Sequence, residues 1–207
     1  MVSPPQIQSL WIGTALSPVE QLCITSFLAQ GHTFHLYVYD DVQGLPAGAV
    51  LQDAATIVAR DRIFKYKHFN SYAGFANLFR YKLLLEKGGY WVDTDVICLH
   101  PFPQVEYLFA TERVRGTPDG CKAANAIMSA PAGAPLVEYC YDTAAARKPE
   151  ELKWGETGPS LVTEAINHFG MHEYTAPPTT FCPIDWWRWQ DYLSPTAELA
   201  VIAGACG

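Results

Sequence analysis

The sequence predicts an α/β fold, with a mixed, mostly parallel sheet flanked by helices. Three observations carry that expectation. Strand-like and helix-like segments alternate through the first half of the chain. Glycines stand where helices must stop, at Gly31 and at Gly88-Gly89. Finally, 49% of the 207 residues are hydrophobic and only 17% are charged, so a large core can be buried.

The elements follow in order. Gln8–Ile12 reads as a strand. Ser17-Pro18-Val19-Glu20 has the form of a capping box with proline at the first helical position, and that helix runs to about Gln30. His35–Tyr39 (HLYVY) alternates as a strand does and ends in Asp40-Asp41. A short helix is expected over Asp53–Ala59. A longer one starts near Ser71, turns Phe75, Leu78, Phe79, Leu83 and Leu84 toward a core, and stops at Gly88-Gly89. Tyr90–Val92 is then a strand with Asp93 and Asp95 at its carboxyl end. Beyond it, Tyr107–Thr111 and Ala126–Ser129 read as strands, and Pro135–Ala146 and Pro159–His168 as helices. Pro177–Trp189, rich in proline and aromatics, is expected to be a loop folded back over the site.

The acidic pair is where chemistry is expected. In open α/β sheets ligands bind beyond the carboxyl ends of the strands. Side chains one residue apart on a strand point the same way, so Asp93 and Asp95 can converge. Aspartates at the end of a buried strand are costly unless a positive partner meets them. A divalent Mn2+ or Mg2+ is held by a few carboxylates, with substrate phosphates and water completing its shell. On the preceding helix, Asn77 and Arg80 lie three residues apart on one otherwise apolar face. Two readings of Arg80 are open: a structural salt bridge to Glu86, Asp93 or another acid, or a grip on a bound sugar.

The order Asn77-x-x-Arg80-Tyr81-x-x-Leu84, Gly88-Gly89-Tyr90, Asp93-x-Asp95-Val96 resembles the glycosyltransferases with a sugar-binding DXD motif. These include initiating mannosyltransferases, α-1,4-galactosyltransferases, capsular polysaccharide enzymes and the catalytic domains of clostridial glucosylating toxins. Shorter likenesses lie at Ser9–Gly13, at Asn125–Met128 with Pro131 and Pro135, at Thr157-Gly158-Pro159 and at Phe181-Cys182-Pro183.

The resemblance implies a GT-A-type, Rossmann-like fold, a divalent metal and sugar transfer with retention. It implies catalytic roles for Asp93, Asp95 and Arg80, with Asp93 and Asp95 at the metal and Asp95 the more direct ligand. Donor-binding residues would be Trp11 at the nucleotide base, Asn77, Arg80, Asp93 and Asn125. Trp11 also reads as an ordinary core tryptophan, and Trp91, where the family usually has tyrosine, as packing. The donor would be a UDP-sugar, or else a GDP-sugar, and the acceptor a glycan or lipid-linked glycan, as in bacterial polysaccharide biosynthesis. The chain departs from the pattern twice. Asn77 stands where aspartate is usual. The C-terminus reads LAVIAGACG in place of a His-x-Trp element.

Two other functions compete. One is a catalytically impaired homologue that binds a nucleotide sugar or glycan, which Asn77 and the C-terminus favour. The other is a haloacid-dehalogenase-type phosphatase, which shares a strand-end Asp-x-Asp. Its motif usually lies near the N-terminus, however, and prefers threonine or valine where this chain has Ile97.

The bulk properties narrow the rest. A net charge of −7 argues against general nucleic-acid binding. No run of about 20 apolar residues is present to span a bilayer, and the N-terminus lacks the pattern of a signal peptide. A cytoplasmic location is expected, compatible with peripheral attachment at the inner face of the membrane. One domain is expected over 1–207, with about 1–110 binding the nucleotide sugar and about 111–207 facing the acceptor. No two of the six cysteines form a CxxC pair, so buried free thiols are expected rather than a zinc site. Of the histidines, His100 lies just past the acidic strand, within possible reach of a metal, but reads better as a surface residue.

Overall fold

The computed structural model describes residues 4–193. Seven strands form one sheet in the order β3-β2-β1-β4-β6-β5-β7. They are β1 (Ile7–Trp11), β2 (Phe34–Val38), β3 (Val50–Asp53), β4 (Gly89–Val92), β5 (Leu108–Arg113), β6 (Cys121–Ala130) and β7 (Thr175–Ala176). Four pairings are parallel, and β6 runs antiparallel to both of its neighbours. The sheet is therefore mixed and mostly parallel. The helices are α1 (Pro18–Ala29), α2 (Ala73–Lys87), α3 (Pro135–Ala145), α4 (Pro159–Phe169) and the single turn α5 (Pro178–Phe181).

Alternation along the strands divides the core into two layers. Leu10, Tyr37, Trp91 and Met128 face the cluster built with α2, α3 and α4. Ile7, Leu36, Tyr90, Val92 and Ile127 face the opposite cluster, which α1 joins through Cys23, Ile24 and Phe27. Each fully buried large side chain contributes about 2 kcal/mol of hydrophobic stabilisation.

The local signals act as the sequence suggests at several points. Ser17 Oγ accepts from the Val19 amide, while Glu20 Oε2 accepts from the Ser17 amide at 2.6 Å, so the cap of α1 is closed from both sides. Gly88 ends α2 with φ of 66°, and a β-carbon there would lie 2.6 Å from the Ala132 backbone nitrogen. Only glycine meets both demands. The Gly88 carbonyl also accepts from buried Gln8 Nε2 at 2.7 Å, joining the end of α2 to β1.

Other expectations are corrected. The helix expected over Asp53–Ala59 shrinks to a 3-10 turn over Ala54–Thr56, because Val50–Asp53 pair with His35–Val38 as edge strand β3. That strand has a largely exposed face and no alternating pattern to reveal it. Strand β6 extends back to Cys121, pairing with β5 through a register shift. Pro177–Trp189 is not a plain loop: it holds α5 and the start of a 3-10 segment, Trp186–Leu193. Cys23 and Cys140 are buried free thiols as expected and Cys98 is buried too, but Cys182 is half-buried, Cys121 is exposed, and Cys206 lies outside the described residues. So does LAVIAGACG. Among the described residues no helix is long and apolar enough to cross a membrane.

Candidate active site

Strand β4 places the acidic pair at the carboxyl ends of the parallel strands, beside the end of β1. The strand itself stops at Val92. Asp93 keeps one backbone bond to β6, donating its amide to Ala126 at 2.8 Å, and the chain then turns, with the Val96 amide donating to the Asp93 carbonyl at 3.3 Å. The Asp-x-Asp is therefore a turn following the strand. Strand alternation does not set its geometry.

Asp93 and Asp95 line the same cavity, of about 550 Å³, but in different electrostatic states. Asp93 Oδ1 accepts from Arg80 Nη2 at 2.6 Å and from Trp91 Nε1 at 2.8 Å. Arg80 is 3% exposed and lies over the Trp91 ring, 4.9 Å from its centroid. Trp91 thus orients Asp93 as well as packing. Asp95 has no ion-pair partner among the described residues. Its surface is accessible, but the protein around the cavity desolvates it, and this with the Asp93 charge raises its carboxyl above its ordinary range.

Behind Arg80 lies a buried amide pair. Asn77 Oδ1 accepts from Arg80 Nη1 at 3.1 Å and from Asn125 Nδ2 at 2.9 Å. Gly158, at the N-cap of α4, closes over both amides; a β-carbon there would lie 3.0 Å from Asn77 Nδ2 and 3.3 Å from Asn125 Nδ2. Buried Tyr81 donates to the Thr157 carbonyl at 2.8 Å and holds the preceding turn against α2. The three predicted segments 77–80, 125 and 157–159 therefore meet at one point.

Trp11 lines the cavity too, with Nε1 donating to the Ala15 carbonyl at 3.1 Å. The salt bridge considered for Arg80 forms with Asp93; Glu86 pairs instead with Lys82 on the same helix. His100 is exposed and outside the cavity lining. Pro177–Trp189 does not line this cavity either. Its free wall comes from Tyr66, Tyr72, Trp154 and Gly155. Those residues carry no motif, so only the folded chain reveals them. Glu20 lines the cavity as well, though its sequence signal was that of a helix cap.

A divalent cation is chemically suited to this place. The guanidinium beside the two carboxylates pairs with Asp93, which leaves Asp95 without an ion-pair partner of its own among the described residues. Among the described residues no cluster of three or more histidine, cysteine or acidic side chains forms a closed metal site. The described residues therefore offer a partial shell, as suits a metal that shares its ligands with a substrate.

A carboxylate pair beyond the central strand of a mixed seven-stranded sheet, backed by a buried arginine, defines a GT-A-like α/β protein. Residues 18–114 match the family model described as "Glycosyltransferase sugar-binding region containing DXD motif", and this region of the chain is similar to that family. Among solved structures, the PaToxG glycosyltransferase is similar at 15% identity and a TM-score of 0.58, covering 97% of this chain and 79% of its own. A transferase mutant is similar at 10% identity and a TM-score of 0.50, covering 95% and 94%. At these identities the likeness concerns the fold. No curated protein matches the chain.

Proposed function

We propose that the protein is a metal-dependent retaining glycosyltransferase that moves a sugar from a nucleotide-sugar donor, with UDP-sugars favoured, to a glycan or lipid-linked acceptor. The observation that carries this reading is the division of labour between the two aspartates. Asp93 is paired and fixed by Arg80 and Trp91, whereas Asp95, in the same cavity, has no ion-pair partner among the described residues. Asp95, with Asp93 beside it, would hold Mn2+ or Mg2+. When bound, that cation supplies charge neutralisation to a leaving diphosphate.

The chain's own residues do the positioning. Trp11, which lines the cavity, would offer its ring to the base. Arg80, Asn77 and Asn125 form a rigid polar floor beneath the donor sugar. The side chains hydrogen-bonded to Asn77 are the Arg80 guanidinium and the Asn125 amide, with no carboxylate among them. This supports attack by the acceptor on the face that the diphosphate leaves. The first half of the chain carries most of the donor cavity, but Asn125, Trp154 and Gly155 come from the second half.

The decisive test is calorimetry with MnCl2 and a panel of UDP- and GDP-sugars, joined to a donor-hydrolysis assay. Manganese-dependent binding with hydrolysis is expected. Binding without hydrolysis or transfer would favour the impaired homologue, the reading that Asn77 supports. Failure to bind any nucleotide sugar would remove both.

A further inference from the structure

A second cavity, of about 470 Å³, lies on the α1 side of the sheet. Ile97, Phe102, Ala110, Ala124, Ile127 and Phe181 form its apolar walls. Protein interiors are normally packed without voids of this size. Here small side chains keep the space open: β5 and β6 present Ala110, Ala124 and Ala126 to it, where larger residues would fill it. Phe181 closes the far side by packing edge-on against Phe102, with ring centroids 5.4 Å apart.

Asp95 lines this cavity as well as the donor cavity, and it is the one residue the two linings share among those described. A molecule with its apolar part in the second cavity and a hydroxyl at Asp95 would stand at the edge of the donor cavity. The apolar surface also continues outward. Ile97 and Leu99 at the cavity wall are 42% and 40% exposed, and three residues beyond wall residue Pro183 begins a segment that exposes Trp186 and Trp189.

We propose that this cavity binds the hydrocarbon portion of the acceptor, so that the acceptor is an amphiphile: a hydroxyl-bearing sugar joined to an aliphatic chain. The assignment rests on the glycosyltransferase reading for the role of Asp95, but the cavity itself can be tested apart from it. Pockets of this size bind through apolar contact, with a few polar groups fixing orientation. Asp95 is the orienting group at one end.

The test is equilibrium binding of methyl and octyl β-glucosides, the latter below its micelle concentration, to the full chain without donor. UDP binding with manganese is measured on the same samples. Octyl glucoside is expected to bind about 100-fold more tightly than methyl glucoside, as burial of several methylenes requires. Ala126→Phe, which fills the cavity, and Ile97→Glu, which charges its wall at an exposed position, should each erase most of that ratio. Two variants are used so that misfolding of one does not decide the matter. Equal affinity for the two glucosides overturns the proposal, as does an octyl preference that survives in both variants. Octyl-dependent binding without UDP binding would leave the cavity assignment standing and sink the donor reading. UDP binding without an octyl preference would do the reverse.

Discussion

Arg80 Nη2 lies 2.6 Å from Asp93 Oδ1, and the two side chains are unequally buried, at 3% and 36% exposure. The pair therefore has a structural consequence that Asp95 lacks. Asp93→Ala leaves a buried guanidinium with no counter-charge and should cost on the order of 3 kcal/mol of stability. Asp95→Ala removes a carboxylate already disfavoured by burial and by Asp93, so its stability should change by less than about 0.5 kcal/mol. Both variants should lose at least about 100-fold in turnover. Urea denaturation beside a transfer assay separates the two effects. Equal destabilisation by both substitutions would show that the Arg80 contact does not hold the turn.

His32 makes folding stability depend on pH. It is 3% exposed, with Nδ1 2.8 Å from the Pro5 carbonyl, and Nε2 accepts from the Phe102 amide at 3.0 Å. Only the neutral Nδ1–H tautomer satisfies both partners; a second proton on Nε2 would break the bond to Phe102. Burial accordingly lowers the imidazole below its ordinary 6.5, and His35 on β2 shifts the same way by burial. The unfolded chain then binds more protons than the folded one near and below that value. Stability is fully present above pH 6.5 and falls as the pH drops below it, by up to about 1.4 kcal/mol per pH unit for one such group. Chemical denaturation at several pH values between 5 and 8 should show this slope, and His32→Gln should flatten it. A wild-type curve with no loss below pH 6.5 would contradict the assignment.

The sequence revealed α1, α2 and β4 because each carries physical punctuation. Ser17 and Glu20 close one helix, Gly88 alone fits the end of the next, and Asp93 marks the end of the strand. The meeting of Asn77, Arg80 and Asp93 followed from that order. Edge strand β3 was hidden because Val50 and Leu51 face outward and give no alternation. The wall formed by Tyr66, Tyr72 and Trp154 was hidden for another reason. Tyr66 and Tyr72 come from an irregular segment far in the chain from Trp154, and a ring contact, Tyr66 with Trp154 at 5.2 Å, brings the two together. The acidic turn misled in a third way: tertiary contacts from Arg80 and Trp91, rather than strand period, orient Asp93.

Trp11 is held by one hydrogen bond, from Nε1 to the Ala15 carbonyl, with part of its ring open to the donor cavity. If it stacks on the nucleotide base, Trp11→Ala should weaken UDP binding by about 10- to 100-fold, the usual range for loss of a base–aromatic stack. Trp11→Phe keeps a ring face and loses the hydrogen bond, so it should retain much of the affinity. Titration of UDP in manganese buffer measures both. Unchanged binding in Trp11→Ala would leave this tryptophan as packing alone.

Gly158 gives the most exact steric test of the polar floor. A β-carbon there would approach Asn77 Nδ2 to 3.0 Å and Asn125 Nδ2 to 3.3 Å, and both amides are buried. Neither can turn away freely, because Asn77 Oδ1 already serves Arg80 and Asn125 together. Gly158→Ala should therefore cost about 1–3 kcal/mol of stability through overpacking, and it should displace the groups assigned to the donor sugar. Asn77→Asp is the complementary change. It keeps the oxygen that accepts from Arg80 and Asn125, so the floor should survive while its charge alters. The expected pattern is a loss of affinity for the UDP-sugar in Gly158→Ala with UDP itself bound nearly as before, since the base and diphosphate are assigned to other walls. Sugar-nucleotide affinity that stays normal in a well-folded Gly158→Ala protein would remove Asn77 and Asn125 from the donor site.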